Sequence, residues 1–119
     1  MVNMLKTPQV DAVMRDGVLI ARLTLEKLGE YEANAVQGDL AQVARASGWK
    51  VVLDLQDVQL IASAGLGLLV SLNKQARASK GQLVLCGMND HLRQLLKSTR
   101  LDAGLTIKAD AEAGYKALK

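Results

Sequence analysis

Two short runs, Val51-Val52-Leu53 and Leu83-Val84-Leu85-Cys86, are apolar at consecutive positions. Successive side chains of a strand point to opposite faces, so a strand reads this way when both faces are covered. Each run follows a segment with helical periodicity. Strands that alternate with helices imply parallel crossovers, and helices then cover the sheet.

The other elements fall around these two. Asp11–Met14 and Val18–Leu23 are β-prone and separated by Arg15-Asp16-Gly17. Asp-Gly between two such runs predicts a tight hairpin, because glycine tolerates the positive φ of the turn. Val36, Leu40, Val43 and Ala44 share one face of a helix, with Gly48 placed just past its C-cap. Leu66, Leu69, Val70 and Ala76 mark a second helix after Ser63; Lys74 and Arg77 lie in its later turns and Gly81 supplies the stop. Asn89 or Asp90 caps a third helix carrying Leu92, Leu95 and Leu96. Leu105-Thr106-Ile107 predicts a last strand, and Asp110 opens a last helix with Ala113, Ala117 and Leu118, weakened by Gly114. The expected order is β-β-α-β-α-β-α-β-α: an α/β fold with a mixed, mostly parallel sheet, in a single domain over residues 1–119.

Half of the 119 residues are hydrophobic, enough for a core without disulfides or metal. That core has to be aliphatic, since Phe is absent and the aromatics are Tyr31, Trp49 and Tyr115. No stretch approaches the roughly 20 apolar residues of a membrane span, so no membrane insertion is expected. Met1–Thr7 lacks the apolar run of a secretory signal, and the single Cys86 cannot form an internal disulfide. These features predict a cytoplasmic protein. The net charge of +3 is unevenly spread. Acidic residues outnumber basic ones before Ala64; afterwards Lys74, Arg77, Lys80, Arg93, Lys97 and Arg100 reverse the balance. Nucleic-acid readers add stacking aromatics or a docking element to such a face. Neither is legible, so direct nucleic-acid binding is not expected and the cations read as solvated helix faces.

Catalytic chemistry has few pieces to work with. His91 is the only histidine and stands at a helix start with no visible nucleophile or orienting partner. One His and one Cys do not make a zinc site. Cys86, inside an apolar run, reads as a small hydrophobe. Gly65-Leu66-Gly67 lacks the lysine and spacing of a P-loop and the rest of a dinucleotide fingerprint. The expectation is a non-enzyme without catalytic residues, cofactor or metal.

One segment stands apart: Val58-Gln59-Leu60-Ile61-Ala62-Ser63-Ala64-Gly65-Leu66-Gly67-Leu68-Leu69-Val70. It follows the buried strand Val51–Leu55 and opens a helix, which places Ser63 at the N-cap. A cap hydroxyl accepts a bond from a free backbone N–H. Free N–H groups and the positive end of the helix dipole would also favour an added phosphate there.

This segment, with Val51-Val52-Leu53-Asp54-Leu55 before it and Gly81-Gln82-Leu83-Val84-Leu85-Cys86-Gly87 after it, resembles the STAS family of anti-sigma factor antagonists. The resemblance continues through His91-Leu92-Arg93-Gln94-Leu95-Leu96 and Leu101 and spans nearly the whole chain. It rests on the family's pattern of strand, Asp-Ser-Ser-Gly or Ser-Ser-Ala-Gly, Leu-Gly or Leu-Arg, and aliphatic helix. Here the motif is Ala62-Ser63-Ala64-Gly65, which departs from Ser-Ser-Ala-Gly at Ala62. The resemblance implies a STAS fold and an antagonist that binds an anti-sigma factor, usually a serine kinase, and so frees a sigma factor. It implies Ser63 as phosphoacceptor, with Ala62, Ala64, Gly65 and Leu66 shaping the contact, and a phosphatase that resets the switch. Phosphorylation adds about −1.5 to −2 charge in the middle of that surface. A different expectation within the same family is a permanently bound, unphosphorylated subunit of an ABC-type lipid-transport complex.

Overall fold

The Asp16-Gly17 hairpin forms within the sheet where the Asp-Gly pair predicts it. In the computed structural model, which describes residues 1–119, Asp16 and Gly17 take φ of 48° and 81° and bring Arg15 opposite Val18. The hairpin joins β2 (Val10–Arg15) to β3 (Val18–Leu23), and an additional strand, β1 (Val2–Lys6), precedes them. Next come β4 (Lys27–Leu28) and α1 (Glu30–Val43), which tightens into a 3-10 turn at Ala44–Ser47. The chain continues through β5 (Lys50–Asp54), β6 (Leu60–Ile61), α2 (Ser63–Ala78), β7 (Gln82–Cys86) and α3 (Asp90–Ser98). A second 3-10 turn at Leu101–Gly104 leads into β8 (Thr106–Lys108) and α4 (Ala111–Leu118).

Six strands form one sheet in the order β1-β2-β3-β5-β7-β8, and β4 pairs with β6 in a separate parallel ladder. The first two pairings are antiparallel and the rest parallel, so the sheet is mixed and mostly parallel. The central pairing sets Val52 beside Val84 and Leu53 beside Leu85, all four buried. Period-two alternation then divides these strands between two cores. Leu53, Leu83 and Leu85 face a large aliphatic cluster with Leu40 of α1, Leu69 and Leu72 of α2, and Leu92 and Leu96 of α3. Val18, Val52, Val84 and Cys86 face a smaller one closed by Tyr115 and Leu118 of α4. Burying each large aliphatic side chain is worth about 1.5–3 kcal/mol, the main source of stability in a core with so few rings.

Five local departures have physical reasons. β1 is a mostly exposed edge strand with a bulge between Asn3 and Leu5, so it lacks the apolar signature of the buried strands. The ladder of β4 and β6 is two residues long on each side, too short to show a period. α1 begins at Glu30, before its periodic stripe, because the Glu32 carboxylate accepts the Gly29 N–H at 2.9 Å and secures the first turn. The last strand is Thr106–Lys108 and not Leu105–Ile107: Leu105 still donates to the Asp102 carbonyl of the 3-10 turn. After α2 it is Lys80 that takes the left-handed conformation (φ 61°). Gly81 instead passes so close to the Trp49 carbonyl that a β-carbon would lie 2.3 Å from its oxygen. No helix is long and apolar enough to cross a membrane.

Candidate partner-binding site

The start of α2 is positioned from below by the β4–β6 ladder. Leu28 pairs with Ile61, and the Ala62 N–H donates to the Leu28 carbonyl at 3.0 Å. The Ala62 carbonyl then accepts from the N–H groups of Gly65 and Leu66. Gly65 packs directly on this ladder, since a β-carbon there would come within 2.5 Å of the Leu28 oxygen and 2.8 Å of Ile61 Cγ2. Any other residue at position 65 would push the helix away from the strand pair that aims it.

Ser63 is not the N-cap. Ala62 holds that place in extended backbone, Ser63 is the first helical residue, and no side chain caps this helix. The expected capping bond is therefore absent, and the Ser63 side chain is exposed. The N–H groups of Ser63 and Ala64 have no intrahelical acceptor, as helix geometry dictates. The first turns of α1, α3 and α4 contain Glu30 and Glu32, Asp90, and Glu112, whereas that of α2 contains no acid. Its positive end is the one left uncompensated by its own sequence.

Ala62, Ala64 and Leu66 are half-buried around Ser63, and Gly65 is buried beneath it. The structure thus brings the five candidate residues to one helix end. Two exposed apolar side chains that sequence periodicity did not flag lie on or just after the strands of the β4–β6 ladder, Leu60 (54% exposed) and Tyr31 (72% exposed). Leu60 lies on β6, two residues before the Ala62 cap, and Tyr31 lies in the first turn of α1, which follows β4. The signal for Leu60 was its place in the singled-out segment; for Tyr31 there was none. Further along the same end of the sheet, Arg22 donates from Nε and Nη2 to the two Asp57 oxygens at 3.0 and 2.9 Å. This bond holds the Asp57 carboxyl below its ordinary range and raises the Arg22 guanidinium.

The other candidates lie elsewhere. His91 is exposed at the second residue of α3. Cys86 is fully buried in β7, where burial, with smaller contributions from Asp54 and Asp110, pushes its thiol up to about 12. No three His, Cys, Asp or Glu side chains are grouped to hold a metal ion. The site offers an exposed hydroxyl, small side chains and the exposed Leu60, which suits contact with another macromolecule.

A mixed, mostly parallel six-stranded sheet with four helices matches the fold of STAS domains. Residues 9–113 match that domain, and the chain belongs to the STAS family. Over 104 residues it is 32% identical to BtrV of Bordetella bronchiseptica, named as an anti-sigma factor antagonist; the match covers 87% of this chain and 89% of BtrV. The Paenibacillus polymyxa anti-sigma F factor antagonist is 28% identical over 94 residues, covering 78% of this chain and 80% of that protein. Bacillus SpoIIAA, solved in a phosphorylated form, shares the fold with a TM-score of 0.67 at 14% identity, over 91% of this chain and 98% of that one.

Proposed function

We propose that this chain is an anti-sigma factor antagonist, which binds an anti-sigma factor with serine kinase activity and is switched by phosphorylation of Ser63. The names of its relatives support the antagonist reading. One observation carries the switch: Ser63 is an exposed hydroxyl on the first turn of the one helix that has no acidic residue there. A phosphate at that place meets free N–H groups and the positive helix end, so the free protein tolerates it. The same charge inside a contact made of Ala62, Ala64, Gly65, Leu66 and Leu60 would be desolvated against small and apolar side chains. Release of the partner follows from that difference, and a phosphatase restores binding. The chain acts in the cytoplasm by association and not by turnover.

The test is to incubate the chain with ATP and each serine-kinase anti-sigma factor of its source organism and map the modified residue by mass spectrometry. Ser63→Ala and Ser63→Asp are then titrated against the partner. Modification at Ser63, parental binding by Ser63→Ala and weakened binding by Ser63→Asp are expected. An unmodified Ser63 together with parental binding by both variants would refute the switch.

A further inference from the structure

The excess of basic residues after Ala64 is not used by the Ser63 site. Part of it lines a groove between the second half of α2 and the 3-10 turn that follows α3. Lys74, Arg77 and Arg100 supply its charge, Val70, Leu101 and Leu105 its apolar wall, and no carboxylate lines it. The two ion pairs of the chain, Arg15–Glu112 and Arg22–Asp57, involve none of these cations. Val70, Leu101 and Leu105 are half-buried, leaving aliphatic surface open between charged rims.

The groove is preformed. Asn73 Nδ2 and Arg77 Nη2 both donate to the Gly104 carbonyl, at 3.0 and 3.2 Å, and fasten the turn to α2. Arg100 sits at the start of the turn in the left-handed region (φ 61°), a conformation that glycine would adopt at less cost. Arg100 is one of the residues that line the groove, and it holds this backbone conformation at the expense of local strain. From Ser63, Lys74 lies about 15–20 Å along the axis of α2 at ~1.5 Å per residue, so the groove is separate from the proposed switch.

We infer that this groove is a second docking site, and that it takes an acidic peptide segment of a partner protein in which aliphatic side chains are set among carboxylates. Charge complementarity selects the acidic partner, and the aliphatic wall asks for apolar side chains between the acids. Nucleic acid fits less well, because Tyr31, Trp49 and Tyr115 are all outside the groove and no ring is available for base stacking.

The experiment titrates the full, isotope-labelled chain with a decapeptide of glutamates interrupted by leucines and follows the NMR spectrum. Shifts are expected at Val70, Asn73, Leu101 and Leu105, and unchanged affinity in Ser63→Asp. Affinity should fall by at least about tenfold in the Lys74→Glu/Arg100→Glu double variant and also when serine replaces each leucine of the peptide. Arg77 is left intact because it holds Gly104, and Lys74→Gln/Arg100→Gln serves if the charge reversal does not fold by circular dichroism. Shifts around Ser63 or nowhere, or parental affinity in the folded double variant, would overturn the assignment. So would an RNA oligonucleotide or a phosphatidylglycerol vesicle that produces the groove shifts at lower concentration than the peptide.

Discussion

The Tyr115 hydroxyl donates a 2.7 Å hydrogen bond to the Asp16 carboxylate, tying α4 to the turn of the β2–β3 hairpin across the length of the sequence. Arg15 reinforces the tie: its guanidinium lies 3.8 Å from the centre of the Tyr115 ring and donates to Glu112 at 2.7 Å.

This tie has a pH signature. The bond to Asp16, and secondly burial, raise the Tyr115 phenol above its ordinary range. An acid whose pKa is raised by folding contributes stability at and below its unfolded value, about 10 for tyrosine, and loses it as pH rises through the folded one. Tyr115→Phe should therefore melt lower than the parent at pH 7, with the gap closing above about pH 10. Thermal melts of both proteins across that range check it, and a constant gap would count against the tie.

Two glycines on the same helix should respond in opposite directions. Gly65→Ala places a methyl 2.5 Å from the Leu28 carbonyl oxygen and should cost about 1–3 kcal/mol. Gly67, two residues on, has nothing within 4 Å of an added β-carbon, so Gly67→Ala should stabilise by about 0.5–1 kcal/mol through helix propensity. Urea denaturation of both variants decides, and equal effects would show that Gly65 does not set the spacing of helix and ladder.

Helix caps give a second contrast. Asn89 caps α3, its side-chain oxygen accepting the Leu92 N–H at 2.8 Å, so Asn89→Ala should cost about 0.5–2 kcal/mol. Ser63 makes no such bond, and Ser63→Ala should stay within about 0.5 kcal/mol of the parent. A larger loss at Ser63 than at Asn89, read from the same denaturation curves, would put Ser63 back at the cap.

Cys86 should be silent in the folded protein. With its thiol pushed up to about 12 and its side chain fully buried, it should resist a thiol reagent at pH 8 and react once urea unfolds the chain. Its neutral form also favours folding up to the unfolded thiol value of about 8.5, an advantage lost as pH rises through the folded one. Rapid labelling of the native protein at pH 8 would contradict the burial.

Most of the fold was legible because its central strands and helices carry strong, periodic apolar patterns. Val52, Leu53, Val84 and Leu85 specify a doubly covered sheet, and Asp16-Gly17 specifies the hairpin. β1 was not legible, because an exposed edge strand need not alternate, nor was the β4–β6 ladder, whose strands are stabilised by what lies on them. At the candidate site the residues Ala62–Leu66 could be singled out, but the cap could not be placed. Whether Ala62 or Ser63 begins the helix is set by the bond from Ala62 to Leu28, a contact between distant parts of the chain. The groove beside Arg100 was likewise hidden, since only folding brings Lys74 and Leu105 to the same cleft.

One face of the sheet is covered by α4 alone, a helix of eight residues. So short a helix is marginal in water by itself, so undocking and melting are one event. Each such opening bares Val18, Val52 and Val84, a strip of β-branched side chains on neighbouring strands, to chaperones, proteases and other copies of the chain. The Tyr115–Asp16 tie thus governs how often that strip is seen, and its lasting contribution is to the lifetime of the protein in a crowded cell.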